Sequence, residues 1–185
     1  MLNKQTQLAK AFDTKGFSVG ASSLKLALWY FTSMFFFRSG LIPFSSILVA
    51  ILRLFGAKIG KEVRVKPYIH IYYPWKLTVG DYSWLAACYI ENLDQVTIGK
   101  NVCVSQQAML LTGNHNYKSV NFDLITKAIV LEDGVWIGAK TVVCPGITAY
   151  SHSVLTVGST ATKNLEAYTI CQGNPAVKVK DRVIG

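Results

Sequence analysis

Apolar side chains recur at every sixth position along most of the chain from residue 59 onward. This period matches neither an α-helix, which repeats about every 3.6 residues, nor a strand that alternates about every two. It is typical of a solenoid whose coils have three flat faces, each with one inward-facing apolar residue, stacked as parallel strands. The pattern therefore predicts an all-β solenoid. The register positions are Ile59, Val65, Ile71, Val79, Leu85, Ile98, Val104, Leu110, Leu131, Ile137, Val143, Ala149, Leu155 and Ala161.

Other positions keep a fixed distance from this register. Glycine follows it at Gly60, Gly80, Gly99 and Gly138, where we expect the missing side chain to relieve the backbone at a corner. A charge falls on the register at Glu91, and a charge in a core must be paired or displaced. Glu91 is therefore expected either to orient His115 or bind substrate hydroxyls, or to lie on a seven-residue bulged coil facing water. Small or β-branched residues recur four places after the register, at Val63, Val102, Val135, Thr141, Ile147, Ser153 and Ser159.

Residues 24–55 form a different, almost wholly apolar segment. It predicts two helices of about 14 and 12 residues, joined by a Ser-Gly-Leu-Ile-Pro turn, with Gly56 ending the second. Each is shorter than the roughly 20 residues that a membrane-spanning helix needs. The chain thus divides into residues 1–57, a polar N-terminus followed by this α-helical extension, and residues 58–185, the solenoid.

Three placements of the helices remain open. They can pack on the solenoid or on a neighbouring subunit. They can lie in a membrane interface, with the aromatic side chains immersed and Lys25, Arg38 and Arg53 at the head groups. They can also insert partway into a bilayer and return. The polar first 20 residues do not look like a signal peptide, so we expect a cytoplasmic protein, with peripheral attachment to the inner face of the membrane as the second placement implies.

The composition and net charge of the chain indicate which kinds of binding partner to expect. Apolar residues make up 51% of the 185-residue chain and charged residues 16%, so a folded domain is expected. The net charge of +9 favours an anionic partner. The basic residues are scattered, which argues against nucleic acid. The cysteines show no spacing typical of a zinc site or a disulfide framework, and we expect them to be reduced and buried, at Cys88, Cys103, Cys144 and Cys171.

A polar insertion at about residues 112–128 interrupts the register and carries His115 in the phrase "TGNHNY". A loop that leaves a regular stack can place polar groups at a subunit edge. Transfer of an acyl group to an alcohol needs a base, and a histidine can accept the proton near neutral pH. Asn114 and Asn116 flank it and are expected either to orient it and touch a substrate or to serve only the geometry of the loop.

Several phrases together resemble the hexapeptide-repeat acyltransferases, which fold as left-handed parallel β-helices. They are "IGKEVRV", "VGDYSW", "IGKNVCVSQQAMLLTGNHNY", "LEDGVWIGAKTVVCPGIT", "VGSTATKNL" and "QGNPAVKV". The resemblance is closest to the colanic acid biosynthesis acetyltransferases (WcaF-like), which also carry an apolar N-terminal segment and the phrases "YPWKLTVGD" and "ENLDQVTIG". It implies a homotrimer that transfers acetyl from acetyl-CoA to a sugar hydroxyl of an exopolysaccharide or capsule unit. The transfer would be direct, in a ternary complex. The acceptor could be lipid-linked. His115 stands at the catalytic position.

The resemblance also implies that acetyl-CoA binds in clefts between neighbouring subunits, with backbone and small side chains along one cleft. No metal is implied. The phrase "GNPA" is usually followed by arginine, but Val177 stands there, so Lys178 or Lys180 is expected to replace the arginine at the phosphates. A second departure is "TAYSHS" at residues 148–153. The expected cofactor-binding residues are Ala139, Val157, Gly158, Thr162, Lys163 and Lys178.

Two other functional classes remain as alternatives. A non-catalytic structural β-helix would account for the repeat but not for "TGNHNY". A metal-dependent hydratase resembling the γ-carbonic anhydrases would need several histidines converging at a subunit interface. The chain has three histidines, and His70 and His152 lie in the repeat, where structural or solvated roles are expected.

Overall fold

The computed structural model describes residues 5–8 and 16–185. Helix α1 spans Ser23–Thr32 and continues as a π-helix over Ser33–Arg38, and helix α2 spans Ser45–Leu54. A short 3-10 helix spans Pro74–Lys76. The strands are β1 Lys58–Ile59, β2 Arg64–Val65, β3 His70–Ile71, β4 Leu77–Val79, β5 Trp84–Leu85, β6 Tyr89–Glu91, β7 Val96–Ile98, β8 Cys103–Val104, β9 Met109–Leu111, β10 Gly113–His115, β11 Leu124–Thr126, β12 Ile129–Leu131, β13 Trp136–Ile137, β14 Val142–Val143, β15 Thr148–Ala149, β16 Val154–Leu155, β17 Thr160–Ala161, β18 Thr169–Gly173 and β19 Ala176–Asp181.

The strands form three parallel sheets, one on each face of a solenoid. The first face contains β1-β4-β7-β12-β15, the second β2-β5-β8-β13-β16-β18, and the third β3-β6-β9-β14-β17. The chain passes through the three faces in the same order in each coil. Strand β19 turns back antiparallel on β18 at the C-terminal end of the second face. The predicted fold is confirmed: the chain is a left-handed parallel β-helix with an α-helical N-terminal extension.

The six-residue register lines the core. Val65, Leu85, Val104, Ile137 and Leu155 stack on the second face and are all fully buried. The equivalent row on the third face corrects the register prediction at Glu91. Ile90, not Glu91, pairs with Ile71 and Leu110 and is fully buried. The register shortens to five residues between Leu85 and Ile90, so Glu91 is displaced out of the core and is half-buried.

The corners are turned by residues three places after the register, not by the glycines that follow it directly. Non-glycine corner residues have left-handed backbone angles, for example Asn101 with φ 56° and Lys140 with φ 56°. Gly80 does not have a positive φ. A Cβ there would lie 2.6 Å from the carbonyl carbon of Gly99 in the next coil. Glycine is therefore required for the close stacking of coils, not for backbone freedom.

The N-terminal helices close the first coil of the solenoid. Trp29 and Phe37 are buried, with ring centroids 5.2 Å apart, and Trp29 Nε1 donates to the carbonyl of Ile71 at 3.1 Å. Leu48 and Leu52 of α2 belong to the same core as the β-helix. Packing on the solenoid thus accounts for the inner side of the segment, because an open end of a β-helix would expose its apolar core.

The outer side of the same helices is apolar and exposed. It includes Leu24, Leu28, Phe31, Phe35 and Phe44, which are between 54% and 70% exposed. Within residues 5–8 and 16–185, no helix has the length and apolarity required to cross a bilayer.

Candidate active site

The interruption at residues 112–128 leaves the solenoid between the third face and the first face. We call this corner, where β9 leads towards β12, the loop edge. Strand β10 pairs antiparallel with β11, which sets His115 opposite Leu124. Beyond the strands, the amide of Asn116 donates to the carbonyl of Asp123 at 2.8 Å. The hairpin holds His115 on a paired strand rather than on a free loop.

The imidazole of His115 is fixed by Phe122. Nδ1 lies 2.8 Å from the carbonyl oxygen of Phe122, and the two rings stack with centroids 4.5 Å apart. A carbonyl oxygen only accepts, so Nδ1 must carry the proton and donate it. In the neutral imidazole, Nε2 then has a free lone pair, which is the state that a general base requires.

Phe122 was not found from the sequence. Its backbone has φ 54°, a left-handed angle that is uncommon for a bulky residue. No local pattern marks a phenylalanine whose carbonyl selects a tautomer, because the contact depends on how the hairpin closes. The only sequence signal is its place seven residues after the histidine within the same insertion.

The side chains of the flanking asparagines bond within the loop. Asn114 Oδ1 accepts from the amide of His115 at 2.7 Å, and Asn116 Oδ1 accepts from the amide of Lys118 at 3.2 Å. These are the contacts expected of loop geometry. Asn114 is nevertheless exposed beside the histidine. A role in substrate binding remains a prediction for both residues.

Glu91 also lies at the loop edge, one coil before the hairpin. A Cβ added to Gly113 would lie 2.7 Å from Glu91 Oε1, so the carboxylate covers the glycine at the start of β10. Burial raises the pKa of Glu91, while the amide of Gly113 and the positive charge of His115 lower it. The carboxylate is therefore electrostatically coupled to the imidazole.

A second candidate region lies at the corner between the second and third faces, which we call the groove edge. A cavity of about 380 Å³ lies there, between coils. Gly138 and Ala139 form part of its wall, and their small size leaves the groove open. Trp136 lines one side of the cavity and is 48% exposed, and its Nε1 donates to Ser105 Oγ at 3.0 Å. Val157 also lines it, and the neighbouring Gly158 has open space around its Cα.

The structure does not bring the expected cofactor-binding residues together within one chain. Ala139, Val157 and Gly158 lie at the groove edge, whereas Thr162 and Lys163 follow β17 and lie at the loop edge with His115. The whole third face separates the two sets. A single chain therefore holds the expected cofactor-binding residues in two separate groups, which we call the two candidate half-sites, rather than in one cleft.

Lys178, the expected replacement for the usual arginine, is on β19 and is paired. Its Nζ lies 2.8 Å from Asp181 and 3.9 Å from Glu166. The hydrogen bond to Asp181 raises the pKa of Lys178. The neighbouring Val177 is exposed, and Lys180 lies on the same strand. Binding of phosphates by Lys178 requires it to exchange these carboxylates for the ligand.

The cysteines are free thiols. Burial raises the pKa of Cys103 and that of Cys144, and it raises the pKa of Cys88 to about 12. Raised values keep the thiol protonated and weakly nucleophilic, which argues against a covalent acyl-cysteine route. In the described part of the chain, no group of three or more His, Cys, Asp or Glu side chains is arranged to hold a metal.

Comparison with known proteins is consistent with this geometry. The Escherichia coli (strain K12) protein named colanic acid biosynthesis acetyltransferase WcaF is 37% identical over 177 residues, covering 92% of this chain and 97% of that protein. A maltose O-acetyltransferase from Clostridium difficile 630 has a TM-score of 0.80 at 24% identity, covering 98% of this chain and 100% of that one. A hexapeptide-repeat acetyltransferase from Vibrio cholerae O1 biovar eltor, complexed with acetyl coenzyme A, has a TM-score of 0.80 at 22% identity, covering 89% and 92%. No family model matches the chain.

The fold and the similarity to these acetyltransferases identify a hexapeptide-repeat acetyltransferase of the left-handed β-helix class. Within that class, the 37% identity to WcaF over nearly the full length of both chains shows the family. The chain belongs to the family of colanic acid biosynthesis acetyltransferases that WcaF represents.

Proposed function

We propose that the protein transfers an acetyl group from acetyl-CoA to a sugar hydroxyl during synthesis of an exopolysaccharide or capsule, with His115 as the general base. The observation that supports this most strongly is the hydrogen bond from His115 Nδ1 to the carbonyl of Phe122, at 2.8 Å. It leaves Nε2 available to accept a proton. Family membership supports the acetyl transfer, and the galactoside O-acetyltransferase of Escherichia coli is a further relative, at 28% identity.

The transfer is direct. Nε2 of His115 accepts the proton of the sugar hydroxyl while the hydroxyl oxygen attacks the thioester carbonyl carbon and forms a C–O bond. The C–S bond then breaks, which leaves the acetyl ester. The imidazolium returns the proton to the departing sulfur. The carbonyl of Phe122 and the carboxylate of Glu91 stabilise the positive charge that His115 carries between these steps. Asn114 and Asn116 contact the sugar from the same side.

A purified oligosaccharide repeat unit, incubated with the protein and acetyl-CoA, tests this function. We expect a mass gain of one acetyl group per product molecule, lost under mild alkali because the bond is an ester. Omission of acetyl-CoA is the control. Products whose acetyl groups all survive alkali would be amides, and would overturn the assignment to a hydroxyl acceptor.

The two half-sites support a homotrimer with shared active sites. If the groove edge of one copy packs against the loop edge of the next, Ala139, Val157 and Gly158 face Thr162, Lys163 and His115 across a single cleft. Acetyl-CoA then lies between copies, and Lys163 and Lys178 supply positive charge for its phosphates. The exposed Trp136, and Trp84 at 51% exposure on the same face, gain cover from the neighbouring copy.

Co-expression of two inactive variants tests the shared site. His115→Ala removes the base, and Ala139→Trp fills the groove. Each homotrimer is expected to be inactive, but random mixing restores about a quarter of the sites, because a quarter of the interfaces join two unaltered edges. No recovery in mixed trimers, shown to be mixed by two affinity tags, would place the whole site within one chain.

The outer side of the N-terminal helices supports contact with an anionic bilayer surface. The segment has exposed apolar side chains, and residues 14–61 contain no acidic residue. Lys25, Arg53, Lys58 and Lys61 lie in this range. Apolar side chains bordered by cations are typical of interfacial helices, and three copies multiply a weak attachment. Such contact would hold the enzyme at the inner face of the membrane, beside an acceptor built on a lipid carrier.

Vesicle sedimentation of the full chain tests this contact. We expect the protein to bind vesicles that contain phosphatidylglycerol, and Phe31→Ser to weaken binding several-fold, since Phe31 is 69% exposed. Val177→Ser, at an equally exposed site on β19, is the matched control. Equal loss in both variants, or binding to neutral vesicles alone, would contradict the proposal. Deletion of residues 1–57 is unsuitable, because Trp29, Phe37, Leu48 and Leu52 belong to the core.

A further inference from the structure

A cavity of about 500 Å³ lies between the N-terminal helices and the third face of the first coil. Trp29 and Tyr30 of α1 form one wall, and Tyr72 and Tyr73, which follow β3, form the other. The proposed chemistry of the loop edge does not use this cavity. Its size suits a sugar ring or two, since small-molecule sites are commonly concave spaces of about 300–1,000 Å³.

The cavity combines aromatic walls with a cationic rim. Arg38 and His70 both line it. Burial lowers the pKa of His70, and the charge of Arg38 lowers it further, so Arg38 is the cation at neutral pH. The position of Arg38 is fixed by its neighbour Phe37, which is buried and accepts a hydrogen bond from the amide of Tyr68 at 2.7 Å.

The hydroxyl group of Tyr72 in this wall is held in place from behind by Tyr89, on the next coil. The hydroxyl oxygens of Tyr72 and Tyr89 lie 2.7 Å apart. The ring of His70 lies against both tyrosines, with centroids 5.1 Å from Tyr72 and 4.8 Å from Tyr89. Aromatic faces bordered by hydroxyl groups are suited to a saccharide, which has apolar C–H faces and many hydroxyls. A planar guanidinium adds bidentate recognition of a phosphate or carboxylate.

The cavity and the catalytic histidine lie along the same edge of the solenoid. The buried Asn92 clamps the backbone of Tyr73, accepting from its amide at 2.9 Å and donating to its carbonyl at 2.6 Å. The carbonyl of Glu91 in turn accepts from both the amide and the hydroxyl of Thr112, at 3.1 and 2.6 Å. Two coil steps, roughly 10 Å in total at about 4.8 Å each, therefore separate Tyr73 from the start of β10.

We propose that this cavity is the acceptor subsite and that it binds an anionic saccharide. The sugar ring lies on Tyr72 and Tyr73, its acidic group lies on Arg38, and the chain of sugars extends along the loop edge past Glu91 to His115. This inference rests on the proposed function, because it takes the acceptor to be a carbohydrate. The acidic group is either a phosphate on the reducing end or the carboxylate of a uronic acid, and both have the same chemistry at Arg38.

Binding of a matched set of sugars to the full-length protein, without acetyl-CoA, tests the proposal. The probes are glucose 1-phosphate, glucuronate and methyl glucoside, with the galactose equivalents, followed by NMR of the histidine rings. We expect charged sugars to bind at least tenfold more tightly than the methyl glycosides and to shift the His70 signals. Comparing the affinity of the sugar phosphates with that of the uronates then shows which of the two acidic groups the site prefers.

Arg38→Gln is expected to remove this preference and leave the weak binding of methyl glycosides unchanged. Lys58→Gln is the matched control, because it removes the same charge from the exposed β1, on the first face. Equal binding of charged and neutral sugars, an unchanged preference in Arg38→Gln, or no perturbation of His70 by any charged sugar would overturn the proposal. A failure of the proposed function is distinct: charged sugars would bind, but no acetyl ester would form.

Discussion

The regular coils and the hairpin that interrupts them are built on opposite principles. In residues 129–161 the register continues unbroken, and Leu131, Ile137, Ala149 and Leu155 are fully buried. In residues 112–128 the side chains of His115, Asp123 and Leu124 are only half-buried. There, asparagine side chains bond to the backbone within the loop. The coils therefore supply stability by repetition, while the hairpin supplies a polar, accessible position that repetition excludes.

The loop edge extends this contrast into the coils beside it. Where the six-residue register is regular, the register positions themselves are apolar. Where it shortens to five residues between Leu85 and Ile90, Glu91 is released to the edge beside Gly113. The candidate functional groups thus occur at departures from the repeat. If so, substitutions in the hairpin and in the coils should have separable effects on turnover and on stability.

The largest expected effect is on turnover in the hairpin. His115→Ala should lower kcat by about 10² to 10⁴ while leaving the affinity for acetyl-CoA and the fold unchanged, because it removes the base from a half-buried hairpin outside the core. Steady-state kinetics and thermal unfolding measure both. Lys118→Ala, an exposed change in the same hairpin, should leave kcat unaltered. Near-normal turnover in the His115 variant would mean that the hairpin is structural.

The reverse effect is expected in the coils. Leu131→Ala removes a fully buried side chain of β12 and should lower the free energy of unfolding by about 2–5 kcal/mol. At a temperature where the variant remains folded, kcat should stay within about twofold of the wild type. Val130→Ala, on the same strand but pointing outward and half-buried, is the control and should cost much less. A large loss of kcat in folded Leu131→Ala would show that coils and hairpin are not separable.

The sequence was sufficient for the coils because each coil repeats the same packing requirement. The six-residue spacing predicted which side chains are buried on all three faces. At Glu91 the spacing indicated only that the charge must be paired or displaced. It did not show that the register shortens by one residue, because that depends on Ile90 pointing inward. It also misread the reason for Gly80, because contact between coils depends on three-dimensional spacing and is not visible in φ preferences.

The helical segment illustrates a second limit. Its length and its division into two helices were predictable, but the sequence left its placement open because nearly every residue is apolar. The structure divides it: Trp29 and Phe37 close the solenoid, whereas Phe31 and Phe35 are exposed. That division depends on which helix face meets the first coil. The role of Phe122 was likewise unpredictable, because its carbonyl reaches His115 only after the hairpin has formed.

The smallest expected effect on stability is at Glu91, where the regular coils meet the hairpin. Burial raises the pKa of this carboxyl above its ordinary value, so the folded state binds its proton more strongly than the unfolded chain does. Its contribution to stability is complete below the unfolded pKa and is lost as the pH rises through the folded one. Glu91→Gln, which stays neutral, should therefore match the wild type in unfolding free energy at acid pH. At neutral pH it should be more stable by a few tenths of a kcal/mol, a small difference because the group is only half-buried.

Turnover should change in the opposite direction in the same variant. Without the carboxylate, the imidazolium of His115 loses a stabilising charge, and kcat should fall about tenfold at neutral pH. Denaturant unfolding at several pH values, together with kcat, measures both effects. If Glu91→Gln were less stable than the wild type at neutral pH and equally active, the carboxylate would be a structural part of the coil. The separation between repeating coils and functional departures would then fail at the residue where the two meet.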